Sequence, residues 1–263
     1  FSSVLAHAPC NLRSSRGWAT LSCTEHVQTF RGRMMTRLDD PQRSLCFAIN
    51  LGNPVLATLL PDNTPGGITA ELAKKLAAEY GREARFVTWP TAGKVVDAAL
   101  LNQWDIAFLA IDPAREDKLC FTPPYVTIES SALVRNDSDI HSVQEMDRPG
   151  VTINVGKGAA YELYLIRTLQ HATMRQYATS QEAIRAFIAG EGEMVAGIRQ
   201  PLASVAREYP QFRLLPDSFS QIQQAICVPR NRLQHYEFVC GCLAAWKNDG
   251  TIADMINRHI GNR

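Results

Sequence analysis

The stretch "DIAFLAIDPAREDKLCFTPPY" (residues 105–125) decides the fold. An aspartate leads into five apolar residues, Ile106–Ala110. A turn marked by Pro113 follows and presents Arg115, then a short apolar run ends in Pro123-Pro124-Tyr125. An unbroken apolar run between turn signals reads as a strand buried on both faces, the usual state of a strand in a parallel sheet. Ligands of open α/β sheets bind just beyond the C-terminal ends of such strands. Arg115 stands there, and a guanidinium is shaped to hold a carboxylate by two parallel hydrogen bonds. A solvated loop arginine is the other reading of the same residue.

Upstream, "LCFAIN" (45–50) reads as a buried strand and "PDNTPGG" (61–67) as a turn. "ITAELAKKLAAEY" (68–80) places Leu72, Leu76 and Ala77 at helical spacing, and Gly81 stops it. "ARFVTW" (84–89) reads as a strand and "TAGKVVDAALLNQ" (91–103) as a helix. With 105–111 as the next strand, the order is β-α-β-α-β, which implies a parallel sheet flanked by helices.

Downstream, "LCFTPPYVTIESSALVRNDS" (119–138) is too long and irregular for one strand of one sheet, and reads as a connection leaving the first unit. A second series follows, with strands at 150–155, 174–178 and 193–198. Its helices lie at 158–170, at 180–190 with Ser180 as N-cap, and at 200–209 with Pro201 in the first turn. Extended segments at 212–216 and 223–228 precede two helices within 231–261, broken at Asp249-Gly250. The predicted class is α/β, two Rossmann-like lobes joined by a two-strand hinge. Lobe 1 comprises 44–130 plus 229–263, and lobe 2 comprises 131–228. The crossings are placed near Ser130–Arg135 and Gln224–Val228. Residues 1–43 lack hydrophobic periodicity and read as an irregular N-terminal extension, with no signal-peptide core in them.

Composition narrows the function classes. The 263 residues are 46% hydrophobic and 20% charged, with a formal net charge of +1, so bulk charge gives no reason to expect nucleic acid. No apolar run approaches about 20 residues, so no membrane-spanning helix is expected. Seven cysteines argue against a closed disulfide framework and read mostly as small buried hydrophobes in a reducing compartment. Nucleophile-elbow, zinc-protease and phosphate-loop motifs are absent, and the six histidines are scattered. No cofactor or metal is expected.

Further candidates flank the parallel strands. "GKGAAYELYLIRTL" (156–169) has a strand–turn–helix layout, where first-turn N–H groups and the helix dipole favour an anion. A purely structural tight turn is the alternative, and a dinucleotide site is disfavoured because the third glycine is lacking. Trp89 ends a strand and is a candidate for stacking on a ligand, whereas Trp104 reads as packing. Asn50 and Asn53 end the first strand, either as hydrogen-bonding groups for a polar ligand or as Asx-turns.

Residues 45–261 resemble the type 2 periplasmic solute-binding proteins of ABC importers, specifically the polar amino-acid group, family 3. The resemblance rests on Asp105, the strand to Ala110, Ile111-Asp112-Pro113-Ala114-Arg115 and Phe121–Tyr125. "GGITAELAKKLA" (66–77), the turn at Gly156–Ala160 and "NDGTIADMI" (248–256) add to it. It implies that Arg115 clamps a ligand carboxylate, with Ala110 and Asp112 beside it. It also implies that Gly158, Ala159 and Ala160 form the second-lobe cradle. Two departures stand out. Asp112 replaces the usual Thr or Ser, and the aspartate expected after a second-lobe strand is missing: "MVAGIRQPL" (194–202) offers Ile198, Arg199 and Gln200. Arg199 near that point would repel an ammonium and attract an anion, unless it faces solvent. The expected ligand is therefore a small carboxylate, an amino acid or an organic acid with a dicarboxylate among the candidates, captured in an interlobe cleft by hinge closure, and the expected partner an ABC permease, with the protein monomeric. By resemblance the location is periplasmic, with a cytoplasmic relative as the alternative. The runner-up function is a cyclohexadienyl dehydratase-like enzyme, with Glu162, Asp112 or Glu129 as acid, or a sensing domain without transport.

Overall fold

Strands that are apolar on both faces must be covered on both faces, and the chain does this twice. The computed structural model describes residues 43–260, so the reading of the first 42 residues as an irregular extension lies outside the described part. In the first half, β1 (Leu45–Asn50) pairs in parallel with β4 (Ala84–Trp89) and β5 (Ile106–Ala110), the short strands β2 (Thr58–Leu59) and β3 (Pro65–Gly66) form a separate ladder, and β6 (Leu119–Phe121) follows β5. In the second, β8 (Thr152–Gly156) pairs in parallel with β9 (Thr173–Tyr177) and β10 (Met194–Ile198). Mixed α/β halves with these parallel cores give the expected fold class.

Helix α1 (Ile68–Tyr80) has the limits its periodicity predicts. It buries Ile68, Leu72, Ala73, Leu76 and Ala77 against the sheet, about 1.5–3 kcal/mol for each large aliphatic side chain. The helix expected over 91–103 is shorter: α2 (Ala92–Asp97) gives way to a 3-10 turn at Ala99–Leu101. Trp104 is fully buried and its indole donates to the Val95 carbonyl at 3.1 Å, the packing role expected of it. Helix α3 (Ala160–Thr168) follows β8, and α4 (Ser180–Ile188) follows β9. The N-cap of α4 is Thr179, one residue earlier than expected, because its hydroxyl accepts from the Glu182 N–H at 3.1 Å. Helix α5 (Arg199–Glu208) follows β10, and α6 (Tyr236–Asn248) and α7 (Thr251–His259) close the chain.

Two ten-residue strands join the halves. Strand β7 (Val126–Arg135) pairs with β10 through its second part, and β12 (Ser220–Pro229), which follows the short β11 (Phe212–Leu214), pairs antiparallel with β5 through Gln224–Cys227. They pair with each other over Val126–Ser130 and Ser220–Gln224. The crossing therefore lies about four residues before each sequence-derived position, and Gln224–Cys227 run beside the first half. The result is one ten-stranded sheet among the described residues.

Of the described cysteines, Cys46, Cys120, Cys227 and Cys242 are buried and Cys240 is half-buried. At the pole of the first half away from the strand C-termini, Asp105 is buried and ion-paired with Arg232, and its carboxylate also accepts from the Cys46 N–H at 2.9 Å. His235 is buried nearby, 3.2 Å from the Tyr80 hydroxyl. Burial lowers its pKa from 6.5 to about 4, with Asp105 opposing and Arg82 and Arg232 reinforcing the shift. The unfolded chain then binds the proton more tightly between pH 6.5 and 4. His235 thus contributes its full stability above pH 6.5 and loses it as pH falls toward 4, at most about 3 kcal/mol. Urea titrations across this range should show the midpoint falling with pH, and His235→Gln should flatten that part of the profile.

Candidate ligand-binding site

The C-terminal ends of β1 and β5 face the β8–α3 turn across the boundary between the halves. Asp112 accepts from the Ala114 N–H at 2.9 Å and caps the 3-10 turn Pro113–Arg115, which carries Arg115 back toward the sheet. The Arg115 side chain is buried. It donates to the Ala110 carbonyl at 2.9 Å in its own half and to the Gly158 carbonyl at 3.0 Å in the other. Burial works against its positive charge, while the nearby Asp112 and Glu162 carboxylates support it.

Gly158 is held from both sides. Its N–H donates to Glu162 Oε2 at 3.2 Å, and Glu162 is buried and also bonded to the Gln176 amide. Burial raises the Glu162 pKa, with the Gly158 and Gln176 hydrogen bonds acting in the opposite direction. Gly158 has φ +77°, and a Cβ there would lie 2.9 Å from the Gly93 Cα. The backbones of the two halves therefore touch at Gly93 and Gly158. Gly156 is equally confined, since a Cβ would fall 2.5 Å from the Ser180 nitrogen.

Two adjoining chambers occupy the boundary. The inner one, about 40 Å³, is lined by Asn50, Asn53, Ala110, Arg115, Ala159 and Ala160 among the expected residues. Thr91, Lys157, Tyr161, Ser180, Ile198, Ile222 and Gln224 complete much of its wall. No side chain caps the N-terminus of α3, so the backbone at Ala159–Tyr161 meets this chamber with first-turn N–H groups uncapped. The outer chamber, about 310 Å³, is lined by Trp89 and is more apolar in its residues. Both chambers share Gly52, Tyr161, Ser180 and Ile198.

Eight of the ten expected residues thus gather at this boundary, Gly158 through its bond to Arg115. Asn50 and Asn53 also serve as Asx-turns, accepting from Gly52 N–H at 3.0 Å and Val55 N–H at 3.2 Å. Two residues are placed elsewhere. Asp112 lines neither chamber: Arg167 on α3 takes both its oxygens, at 3.1 and 3.0 Å, bridging the halves. Arg199 also lies outside both chambers. The chain turns into α5 at that residue, and its guanidinium donates to the carbonyls of Pro216 at 2.7 Å and Asp217 at 3.2 Å, with Glu129 at 3.5 Å. The cleft-facing residue at the end of β10 is Ile198. Sequence reasoning did not single out Thr91, Ser180, Ile222 or Arg167. The first two are polar residues at helix starts, and Ile222 and Gln224 alternate on one face of the crossing strand, which is the signal that points to them.

Two α/β halves on crossing strands, with a cleft between them, are the architecture of a bilobed solute-binding protein. The family of bacterial extracellular solute-binding proteins, family 3, matches residues 47–262, and the chain belongs to it. It is 22% identical over 205 residues to an amino-acid-binding protein, AabA, of Dichelobacter nodosus, covering 76% of this chain and 81% of that one. Among solved structures it resembles an ancestral amino acid-binding protein that is a precursor of cyclohexadienyl dehydratase. That likeness has TM-score 0.71 and 21% identity, over 88% of this chain and 99% of the other. It also resembles a histidine kinase sensor domain similar to periplasmic binding proteins, with TM-score 0.74 and 16% identity, over 85% and 98%. Among the described residues no helix is long and apolar enough to cross a membrane.

Gly158→Ala is expected to destabilise the protein by about 1–2 kcal/mol from its left-handed backbone, plus the cost of pushing Gly93 away. Gly150→Ala, also at positive φ (+83°) but with open space around it, isolates the first part. Thermal unfolding should show the larger loss for Gly158.

Proposed function

We propose that the protein captures a small carboxylate solute in the interlobe cleft and delivers it to an ABC permease. The two lobes close on the solute about the paired strands Val126–Ser130 and Ser220–Gln224. The single observation that carries this is the Arg115 guanidinium, buried between β5 and the uncapped start of α3. A carboxylate placed there replaces the Gly158 carbonyl as the partner of Arg115 and meets the N–H groups of Ala160 and Tyr161 from the other lobe. Those second-lobe contacts exist only in the closed form, so binding shifts the population toward closure. Family membership supports solute binding and a site of action outside the cytoplasm, periplasmic where a periplasm exists. The protein acts as a monomer on this reading.

Isothermal calorimetry with a panel of amino acids and organic acids tests the reading. At least one carboxylate should bind saturably, and Arg115→Met should weaken it by about a hundredfold or more while circular dichroism stays unchanged. Absence of saturable binding by every carboxylate in the panel overturns it.

Glu162 supports a second reading, dehydration of a cyclohexadienyl acid. It is a buried carboxyl held toward its protonated form, close behind Gly158. It does not line either chamber, and this favours binding over catalysis. Incubation with prephenate or arogenate should produce no new aromatic absorbance.

A further inference from the structure

The two chambers differ in what they offer a ligand, and the difference specifies its class. The inner chamber holds two cations, Arg115 and Lys157, and no carboxylate among its lining residues. The outer chamber is lined by Leu51, Trp89, Pro90, Ile184 and Leu202 among others, with neither a carboxylate nor a cation. Ile198 stands where the two meet.

A ligand ammonium seated beside the Arg115-bound carboxylate would lose water without gaining a counter-charge. The nearest acids are already committed, Glu162 to Gly158 and Gln176, and Asp112 to Arg167. The neutral groups of the chamber, Gln224 and Thr91 among them, offer an ammonium hydrogen bonds at most and no counter-charge. Asn50 and Asn53 accept from the N–H groups of Gly52 and Val55, and the Ser180 hydroxyl is 2.7 Å from that of Tyr161. Lys157 adds repulsion. A second carboxylate fares no better, because the outer chamber has no cation to receive it. What the outer chamber does offer is space and apolar surface. Cavities of about 150 Å³ lined by aliphatic side chains bind benzene, and this one is about twice that size.

We infer that the solute is an amine-free monocarboxylate with an apolar or aromatic tail, its acid on Arg115 and its tail against Trp89. This rests on the reading of the cleft as a carboxylate site, and it narrows that reading to one ligand class. An α-amino acid and a dicarboxylate both fall outside it.

Matched pairs that differ only in the amine test the inference by calorimetry on the wild-type protein. The pairs are phenylpropionate with phenylalanine, and isocaproate with leucine, and succinate and arginine are measured beside them. The amine-free member of each pair should bind at least about tenfold tighter, and succinate should bind more weakly than phenylpropionate. Trp89→Ala should weaken phenylpropionate about tenfold or more and propionate by less than about threefold. Ile198→Asp, if its circular dichroism matches wild type, should reverse the preference toward phenylalanine. Tighter binding of phenylalanine, nanomolar binding of arginine, or succinate as the best ligand overturns the inference. In those cases loss of binding in Arg115→Met still upholds the carboxylate clamp. If none of the six binds and Arg115→Met changes nothing, the clamp reading falls with it.

Discussion

The architecture depends on one short antiparallel ladder, Val126–Ser130 against Ser220–Gln224. Each strand is shared: its other part pairs antiparallel with the parallel core of one half. The backbone hydrogen bonds of both halves are thereby satisfied in a single sheet, without an exposed edge where they meet. Side chains at the junction are modest in size. Ser130 and Ser220 face each other across the ladder, and Ile222 and Gln224 follow on the same face and floor the inner chamber. The ladder that joins the halves is therefore also the bottom of the cleft.

Above that floor, charge is distributed so that few groups remain uncommitted. A buried guanidinium is tolerated only when its donors are used, and Arg115 uses carbonyl oxygens from both halves. Asp112 and Arg167 form a second bridge, bidentate and half-exposed on the arginine side. The third link is steric, the touching backbones of Gly93 and Gly158. Three contacts of different kinds converge on the segment that runs from Gly158, just before α3, to Arg167 in its last turn. Removal of the side chain at residue 158 makes this convergence possible, because any Cβ would hold the halves apart.

Much of the fold was legible from periodicity. Helix α1 and strands β1 and β4 have their predicted limits because their apolar spacing is unambiguous and glycines or turn clusters bracket them. The helix over 91–103 was overextended: its pattern continues, but Asn102 adopts a left-handed conformation and the last turn tightens to 3-10. The cleft was partly legible. Arg115 follows from its place after a parallel strand, and the α3 turn from its glycines. Asp112 and Arg199 were misread for one shared reason. A sequence shows that a charged residue lies near a site, but not which distant partner claims it. Arg167 is 55 residues from Asp112, and the Pro216 and Asp217 carbonyls are 17 and 18 from Arg199. Ile198 was present in the sequence as the apolar neighbour of Arg199, and only the turn into α5 shows that it, not the arginine, faces inward.

The inner chamber, at about 40 Å³, holds little more than a water molecule or two while Arg115 grips Gly158. Occupancy therefore competes with the protein's own embrace. Under the closure proposed above, measured affinity equals intrinsic affinity scaled down by the fraction of molecules standing ajar. Residues that never touch the cargo, Arg167 and Gly93 among them, thereby become dials for the concentration at which the protein fills.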